Sequence, residues 1–368
     1  MAVRYENGHY RSQRDQALHY FARPYAGPCP GPIDSPAAWL GREMRGRSDW
    51  RYRFTAGDVA EIRAALAHSA NTGKATREMT AADFPLPGLS ARMTAAREQL
   101  INGYGLQVFS GLPVDDWNDE QSERVFWCLG LHIGIPGSQN PQDDLLGHVR
   151  DTGRAEDQAS GRFYKTRKFI EFHCDAADAV GLLCLQKAKR GGQSRIVSSV
   201  AVFNEMLRRH PQQVSRLYRP YMLDTKGEGG VNAFPIRPCC YSNGRLRTTY
   251  HSDYFRSAGT HADVDPLTES DLEVLDSYEA IAKDPDYYLD MDLQPGDVQL
   301  ISNHTVLHAR TDYEDFDEPE RRRHLLRLWL SLDEPLSPID RARKLRSRLG
   351  LMLSIARRRA RPIVRRQG

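Results

Sequence analysis

The spacing of hydrophobic residues divides the chain into a helical first part and a strand-rich second part. Apolar residues recur every three or four positions in residues 56–69, 88–103 and 118–131, which predicts three helices. From about residue 145 onward, short apolar runs alternate with glycine, proline and aspartate. Such runs with frequent turn residues are typical of a β-sandwich or β-barrel. We therefore expect a mainly β domain with flanking helices.

The predicted strands extend over most of the chain. They lie at residues 106–109, 169–172, 180–185, 196–197, 246–250, 298–301 and 325–332. One helical insertion, at residues 266–283, interrupts this series. Residues 1–50 are rich in Arg, Tyr, Pro and Gly without clear periodicity, which predicts an irregular arm or cap. The predicted domains are thus this arm, a β domain at residues 51–335 and a tail at residues 336–368.

The six cysteines indicate a reducing compartment. No two of them have the CxxC spacing of a zinc site, and the adjacent pair Cys239-Cys240 is a poor disulfide framework. No apolar run approaches the roughly 20 residues that a membrane-spanning helix needs. The charged residues 1–7 lead into no signal-like apolar region. We therefore expect a cytoplasmic protein.

The positive charge of the chain is concentrated in its tail. The net charge is +3, but residues 341–368 contain eleven Arg or Lys and no acidic residue, which leaves −8 for the preceding residues. An acidic body gives no reason to expect nucleic-acid binding. The tail fits a helix on an anionic membrane or an acidic partner, or a solvated helix packed on the body. Since basic runs are commonly solvated, we expect the packed helix.

Three His-x-Asp sequences have the spacing of paired metal ligands. They are His173/Asp175, His251/Asp253 and His261/Asp263. In a strand, residues i and i+2 share a face, so each pair could point to one metal. Two histidines and one carboxylate suit a ferrous ion that must also bind a co-substrate and O2. Asp263 begins an acidic, proline-containing stretch before a helix, which predicts a surface loop for His261.

Residues 323–332, which include the last predicted strand, carry two arginines on one face. Leucines occupy every second position on the other face, at residues 326, 328, 330 and 332. Arg323 and Arg327 therefore point together, and burying both inside a barrel would be costly without anions. A guanidinium binds a carboxylate through two parallel hydrogen bonds. The pattern favours bound carboxylates, and the alternative is a face that is exposed or paired with acids of the protein.

Two separated blocks of sequence resemble the TauD/TfdA-type Fe(II)/2-oxoglutarate-dependent dioxygenases. The first block is residues 165–202, and the second comprises residues 293–299, 303–311 and 321–332. The resemblance extends over roughly residues 100–335. It implies a double-stranded β-helix core, a jelly-roll of the cupin-like type, with N-terminal helices and the helical insertion.

The resemblance also implies the metal ligands. His173 and Asp175 match the proximal ligands, and His308, in the sequence Leu-His-Ala-Arg-Thr, matches the distal one. His304 is the competing distal candidate, and its expected role is structural. Cys174 would point away from its two neighbours on a strand, so we expect it to pack in the core.

Further roles follow from the same resemblance. Arg323, assisted by Ser194 after the Gly-Gly pair, is implied to hold the distal carboxylate of 2-oxoglutarate. Arg327 is implied to meet an acidic group of the substrate, although the two arginines could share or exchange these roles. Weaker candidates for substrate binding are Tyr164, Arg167 and His251.

The implied activity uses Fe(II), 2-oxoglutarate and O2. It is oxidation, most simply hydroxylation, of an unactivated C–H bond in a small carboxylate- or sulfonate-bearing molecule, with release of succinate and CO2. Desaturation, epoxidation and oxidative cyclisation are alternative outcomes. A non-catalytic sensor of 2-oxoglutarate and metal, and a protein-modifying oxygenase whose basic tail recruits an acidic partner, are alternative functions. The sequence predicts neither the substrate nor the oligomeric state.

Overall fold

The computed structural model describes residues 10–151, 167 and 169–360, which form ten α-helices and seventeen strands. The helices are α1 (Gln13–Phe21), α2 (Gly41–Met44), α3 (Ala56–Asn71), α4 (Ser90–Asn102), α5 (Asp119–Leu131), α6 (Ser199–Arg209), α7 (Pro211–Val214), α8 (Ser252–Ala258), α9 (Glu269–Ala282) and α10 (Pro338–Arg359). The strands are β1 (Arg51–Arg53), β2 (Leu106–Ser110), β3 (Ile135–Gly137), β4 (Leu146–Val149), β5 (Ile170–His173), β6 (Ala179–Gln186), β7 (Arg190–Gly191), β8 (Ser194–Ser198), β9 (Tyr221–Asp224), β10 (Ala233–Ile236), β11 (Cys239–Ser242), β12 (Arg245–Thr248), β13 (Tyr288–Met291), β14 (Val298–Ser302), β15 (Val306–Arg310), β16 (Tyr313–Glu314) and β17 (His324–Ser331).

Two principal sheets enclose a central core. The larger sheet has the order β1-β2-β14-β6-β17-β3, with β4 also paired to β17, and the smaller sheet has the order β13-β8-β15-β5. Apart from the parallel pair β1 and β2, their strands run antiparallel. Leu325 of the larger sheet and Ile196 of the smaller one belong to the same buried cluster. The architecture is a double-stranded β-helix, as the sequence predicted.

Helices cover the outer face of each sheet. Alternation along β17 turns Leu326, Leu328 and Leu330 toward a cluster that also contains buried residues of α3, α4 and α5. On the smaller sheet, Val197 and Leu307 pack in a second cluster with residues of α6 and α9. The predicted N-terminal helices and the helical insertion are therefore confirmed as the outer layers, which leave the space between the sheets for the site.

Helix α1 lies within residues 1–50, for which the sequence predicted an irregular arm or cap. Its buried side chains include Gln16, which accepts a hydrogen bond from Ser331 Oγ at 2.8 Å. The Gln16 amide also donates to the carbonyl oxygen of Ala176 at 3.1 Å. Because part of the inward face is polar, hydrophobic periodicity does not reveal this helix. The division into three domains stays a prediction.

The described part of the basic tail forms α10, which packs on α1 and β10. Arg358 of this helix pairs with Asp263 at 3.0 Å, and Leu351 is buried. Packing against the body is what the sequence favoured. The helix also carries an exposed apolar stripe of Leu345, Leu349 and Leu353. Contact of this surface with a membrane or an acidic partner stays a prediction.

The described residues also bear on the cysteines and on membrane insertion. All six cysteines are unpaired, and five of them are buried, which agrees with the expected packing role. Among the described helices, none is long and apolar enough to cross a membrane.

Candidate active site

Adjacent strands of the smaller sheet bring three metal-binding side chains together. His173 at the end of β5 is the direct partner of His308 on β15, so both imidazoles project from one face. Their ring centroids lie 4.2 Å apart. Asp175 follows β5, and its carboxylate oxygens lie 3.9 Å from His173 Nε2 and 3.7 Å from His308 Nε2. Within the described residues, these three side chains form a group that could hold a metal ion.

Side chains of β17 fix the carboxylate of Asp175. Trp329 Nε1 donates a hydrogen bond to Oδ2 at 3.0 Å, and Arg327 Nη1 lies 3.4 Å from the same oxygen. Burial opposes ionisation of Asp175, but Arg327 and the two imidazoles outweigh it and lower the pKa of the carboxyl to about 2. The group is therefore a carboxylate at neutral pH, which is the form that binds a metal.

Both imidazoles present a ring nitrogen to Asp175. His173 Nδ1 lies 2.8 Å from the carbonyl oxygen of Glu171, which can only accept, so Nδ1 donates this hydrogen bond. The other ring nitrogen, Nε2, faces Asp175 at 3.9 Å. Burial, together with nearby His173, lowers the pKa of His308 to about 3, so this second ring is neutral. Two imidazoles and one carboxylate fit Fe(II).

The competing distal histidine belongs to a separate polar network. His304 Nε2 lies 2.9 Å from Asp178 Oδ1, and His19 Nε2 lies 2.6 Å from Asp178 Oδ2. The backbone N–H of Leu332 donates to the same carboxylate at 2.8 Å. This network joins α1 to the end of β17 beside the metal cluster. The structural role expected for His304 agrees with this placement.

The two other His-x-Asp sequences do not join the metal cluster. His261 Nε2 lies 3.2 Å from Asp224 Oδ1. His251 precedes α8 and forms an isolated antiparallel β-bridge with His173. The two imidazole rings have centroids 5.1 Å apart, and the His251 ring also stacks on Tyr254. Burial holds the pKa of His251 well below its usual range, so it is a neutral polar group beside the metal cluster. His251 therefore lies where the sequence expected a pocket residue.

Arg323 is a buried cation that is incompletely satisfied. Arg323 immediately precedes β17, and it is 5% exposed. Nη2 donates weakly to the carbonyl oxygen of Gly192 at 3.4 Å, while Nη1 has no hydrogen-bond partner among the described residues. The ring of Tyr313 lies 5.3 Å from the guanidinium. A buried guanidinium with an open donor fits a carboxylate ligand.

The Gly-Gly turn makes room for this arginine. Gly191 and Gly192 have φ angles of +76° and +72°, which side chains rarely tolerate. A Cβ atom on Gly192 would lie 3.0 Å from Arg323 Nε. The turn therefore needs glycine for its backbone conformation and also for the close approach of Arg323.

A second buried arginine completes the cationic region. Arg310 of β15 is the direct strand partner of Ser194 on β8, and both residues are buried. Burial, followed by the positive charge of Arg323, lowers the pKa of Arg310 to about 10. Ser194 Oγ donates to Gln299 Oε1 at 3.0 Å. Arg310 was not among the predicted site residues, although its position two residues after His308 places it on the same strand face.

Arg327 lies between the metal cluster and a large cavity. Its Nε donates to Gln139 Oε1 at 2.7 Å, and the Gln139 amide donates back to the Arg327 carbonyl oxygen at 2.8 Å. Gln139, Arg327, Trp329 and His251 line the cavity together with His173 and Asp175. Gln139 lies on no predicted element, so no sequence signal identified it. Trp329 was not among the predicted site residues either. The sequence signal that could have identified it is its position on the same face of β17 as Arg327.

Among the remaining candidates, Arg167 does not line this cavity. Arg167 is exposed and pairs with Asp151 at 2.6 Å, and its carbonyl oxygen accepts a hydrogen bond from the backbone of Tyr313. Tyr164 lies outside the described residues.

Comparison with known proteins adds to this geometry. The family described as "Taurine catabolism dioxygenase TauD, TfdA family" matches residues 71–329. FR-33289 synthase from Streptomyces rubellomurinus is 30% identical over 308 residues, covering 82% of this chain and 91% of that protein. Taurine hydroxylase-like protein SAT17 from Stachybotrys chartarum is 27% identical over 329 residues, covering 86% and 83%.

Solved structures share the fold. An asparagine oxygenase in complex with Fe(II), 2S,3S-3-hydroxyasparagine and succinate has a TM-score of 0.63 at 15% identity, covering 77% of this chain and 93% of that one. The non-heme iron oxygenase OrfP in complex with Fe and alpha-ketoglutaric acid has a TM-score of 0.58 at 15% identity, covering 77% and 94%.

The chain belongs to the TauD/TfdA family. It is an Fe(II)/2-oxoglutarate-dependent dioxygenase, and it uses Fe(II), 2-oxoglutarate and O2.

Proposed function

We propose that this dioxygenase hydroxylates an unactivated C–H bond of a small anionic molecule. The balanced reaction converts substrate R–H, O2 and 2-oxoglutarate into R–OH, succinate and CO2. The observation that carries the proposal is a His-Asp-His cluster with the buried Arg310 two residues from His308 on β15 and with the Arg327-lined cavity beside it. The hydroxyasparagine in the structure of the asparagine oxygenase supports hydroxylation as the outcome.

His173, Asp175 and His308 would hold Fe(II). When bound, the iron supplies the activation of O2 that is coupled to decarboxylation of 2-oxoglutarate. Three protein ligands leave coordination positions for the co-substrate and O2. Trp329 keeps the Asp175 carboxylate turned toward the imidazoles through its hydrogen bond at 3.0 Å.

Arg323, Arg310 and Ser194 would bind the distal carboxylate of 2-oxoglutarate. The pair Arg310/Ser194 lies two residues along the ladder from His308 and its partner Ile196. Two residues of a strand span about 6.6 Å, which suits a short dicarboxylate that reaches from the metal cluster to the arginines. The unpartnered Nη1 of Arg323 supplies a donor for that carboxylate.

Arg327 would orient the anionic group of the substrate, with Gln139 and His251 as polar neighbours in the cavity wall. Its bond to Gln139 leaves the planar guanidinium in one orientation. Its pairing with Asp175 also couples the substrate side of the site to a metal ligand. A substrate anion held here would lie close to the iron, so oxidation near the acidic end of the substrate follows.

Succinate release tests the proposal. Purified protein with Fe(II), ascorbate and 2-oxoglutarate would be assayed against amino acids, sulfonates and aromatic acids. We expect stimulation by at least one anionic compound, and Arg327→Gln should raise the KM for that compound while leaving the KM for 2-oxoglutarate nearly unchanged. Arg321→Gln, an exposed arginine near the same strand, is the control. Intact 2-oxoglutarate binding without stimulation by any compound would favour a sensor instead.

A further inference from the structure

A cavity of about 1050 Å³ extends from the metal cluster on the substrate side. His173 and Asp175 line its inner end, whereas Arg323 and Ser194 are not among its lining residues. Ligand cavities of about 300–1,000 Å³ hold drug-sized molecules. The space is therefore much larger than a single amino acid or aminosulfonate requires.

Part of the outer wall of this cavity is apolar, and among the described residues three elements build this part. Helix α1 contributes Phe21, the β9–β10 connection and β10 contribute Val231 and Phe234, and helix α10 contributes Met352 and Ile355. None of these five side chains is fully buried, since Met352 is exposed and the other four are half-buried. The same three elements also place charged residues in the lining, namely Arg14, Lys226, Glu228 and Arg359. A group of apolar side chains beside a reaction centre is typical of a ligand-binding groove.

Two of the three elements lie outside the part of the chain that matches the family. The match covers residues 71–329, whereas α1 and α10 are Gln13–Phe21 and Pro338–Arg359. Phe21, Met352 and Ile355 of the apolar wall thus come from terminal segments outside the family match, whereas Val231 and Phe234 lie within it. These terminal segments therefore shape the substrate cavity of this chain in addition to the residues of the family core.

Burial of the lining residues decreases from the metal cluster toward α10. At the inner end, Gln139 and Arg327 are buried polar residues beside the metal cluster. At the outer end, Met352 and Ala356 lie one helical turn apart on exposed positions of α10. Arg359, one turn further, donates to the carbonyl oxygen of Gly229 and so ties α10 to the β9–β10 connection. The apolar side chains of α10 therefore lie at the outer end of the cavity, with charged residues bordering them.

We infer that the substrate is an amphiphilic acid, whose extended hydrocarbon body lies against the wall formed by α1, α10 and the β9–β10 connection. The inference rests on the proposed function for the anionic group, which is placed near Arg327. The hydrocarbon body, in alkyl or aromatic form, fills the apolar part of the cavity. Burial of this body supplies binding energy far from the reacting carbon.

Calorimetric binding of a homologous series tests this inference without turnover. The probes are butanoate, hexanoate, octanoate and decanoate, added below their aggregation concentrations to protein that contains Fe(II) and 2-oxoglutarate under exclusion of O2. Each methylene group that is buried should tighten binding about fourfold. We expect decanoate to bind at least about 100-fold more tightly than butanoate, which allows for incomplete burial of the chain.

Substitutions on α10 identify the wall. Met352→Ser and Ile355→Ser should each weaken decanoate binding about 5- to 10-fold and leave butanoate binding within about twofold. Leu353→Ser is the matched control, because Leu353 lies on the same helical turn, is 58% exposed and does not line this cavity. It should change neither affinity. Melting temperatures of the three variants establish that each is folded.

Three outcomes would overturn the inference. They are equal binding of butanoate and decanoate, an effect of Leu353→Ser as large as that of Ile355→Ser, and equal weakening of both acids by the wall variants. Failure of the proposed function gives a different result. In that case no acid stimulates succinate release, while the dependence of binding on chain length persists.

Discussion

Replacing Arg323 by methionine should separate ligand binding from folding. Methionine keeps an unbranched side chain of similar reach but removes the charge and the donors. If Arg323 binds 2-oxoglutarate through two charge-assisted hydrogen bonds, their loss costs at least about 3 kcal/mol, or about 100-fold or more in affinity. Stability should respond in the other direction, because Arg323 is 5% exposed as a residue and its Nη1 has no hydrogen-bond partner among the described residues.

Removing a buried, incompletely paired cation relieves a desolvation cost of about 1–3 kcal/mol, which offsets the lost contact with Tyr313. The apo variant should therefore melt at or above the temperature of the apo wild type. Calorimetric titration with 2-oxoglutarate and thermal unfolding without it measure the two effects. Arg321→Met, at an exposed surface ion pair, should change neither. A 2-oxoglutarate affinity within threefold of wild type in Arg323→Met would refute this reasoning.

Three further predictions follow from the site. Trp329→Phe removes the 3.0 Å hydrogen bond to Asp175 and should weaken Fe(II) binding about 10-fold or more in competition with a chelator; unchanged affinity would contradict a positioning role. Gly192→Ala should lower both stability and 2-oxoglutarate affinity, because its φ is +72° and a Cβ atom would meet Arg323 Nε; wild-type values for both would exclude the crowding. Burial lowers the pKa of His304 and of His324 to about 4, so the unfolded chain binds more protons between pH 4 and 6.5. The folded protein should therefore be most stable above pH 6.5, where both histidines are neutral in the folded and the unfolded chain. Its free energy of unfolding should decrease as the pH falls from 6.5 toward 4. A melting temperature that does not change across this range would contradict the burial of these histidines.

The central strands and outer helices could be predicted because their side chains follow simple periods. Strand β17 has leucines at every second position of one face, with Arg327 and Trp329 on the other, and α3 and α5 carry apolar stripes that face one core. Helix α1 could not be predicted in this way, since Gln16 lies on its buried face and makes polar contacts. Periodicity of hydrophobic residues reveals a helix only where the buried face is apolar.

The site shows the same limit. The spacing of His173 and Asp175 is visible in the sequence, but two other pairs have that spacing. What distinguishes the first pair is the pairing of β5 with β15, which brings His308 from 135 positions further along the chain. The resemblance to a family supplied this contact, whereas local pattern did not. The cavity wall depends on the packing of α10 against α1, which unites residues from the two ends of the chain and which no local pattern specifies.

Metal binding by histidine variants tests the central claim most directly. Equilibrium dialysis against Fe(II) without O2, in the presence of 2-oxoglutarate, measures how many ions each chain holds. With His173, Asp175 and His308 as the ligands, we predict one Fe(II) per chain in the wild type and in His261→Ala. We predict no tightly held Fe(II) in His173→Ala or His308→Ala. Stoichiometric Fe(II) in His173→Ala, or its loss in His261→Ala, would contradict the assignment of the site.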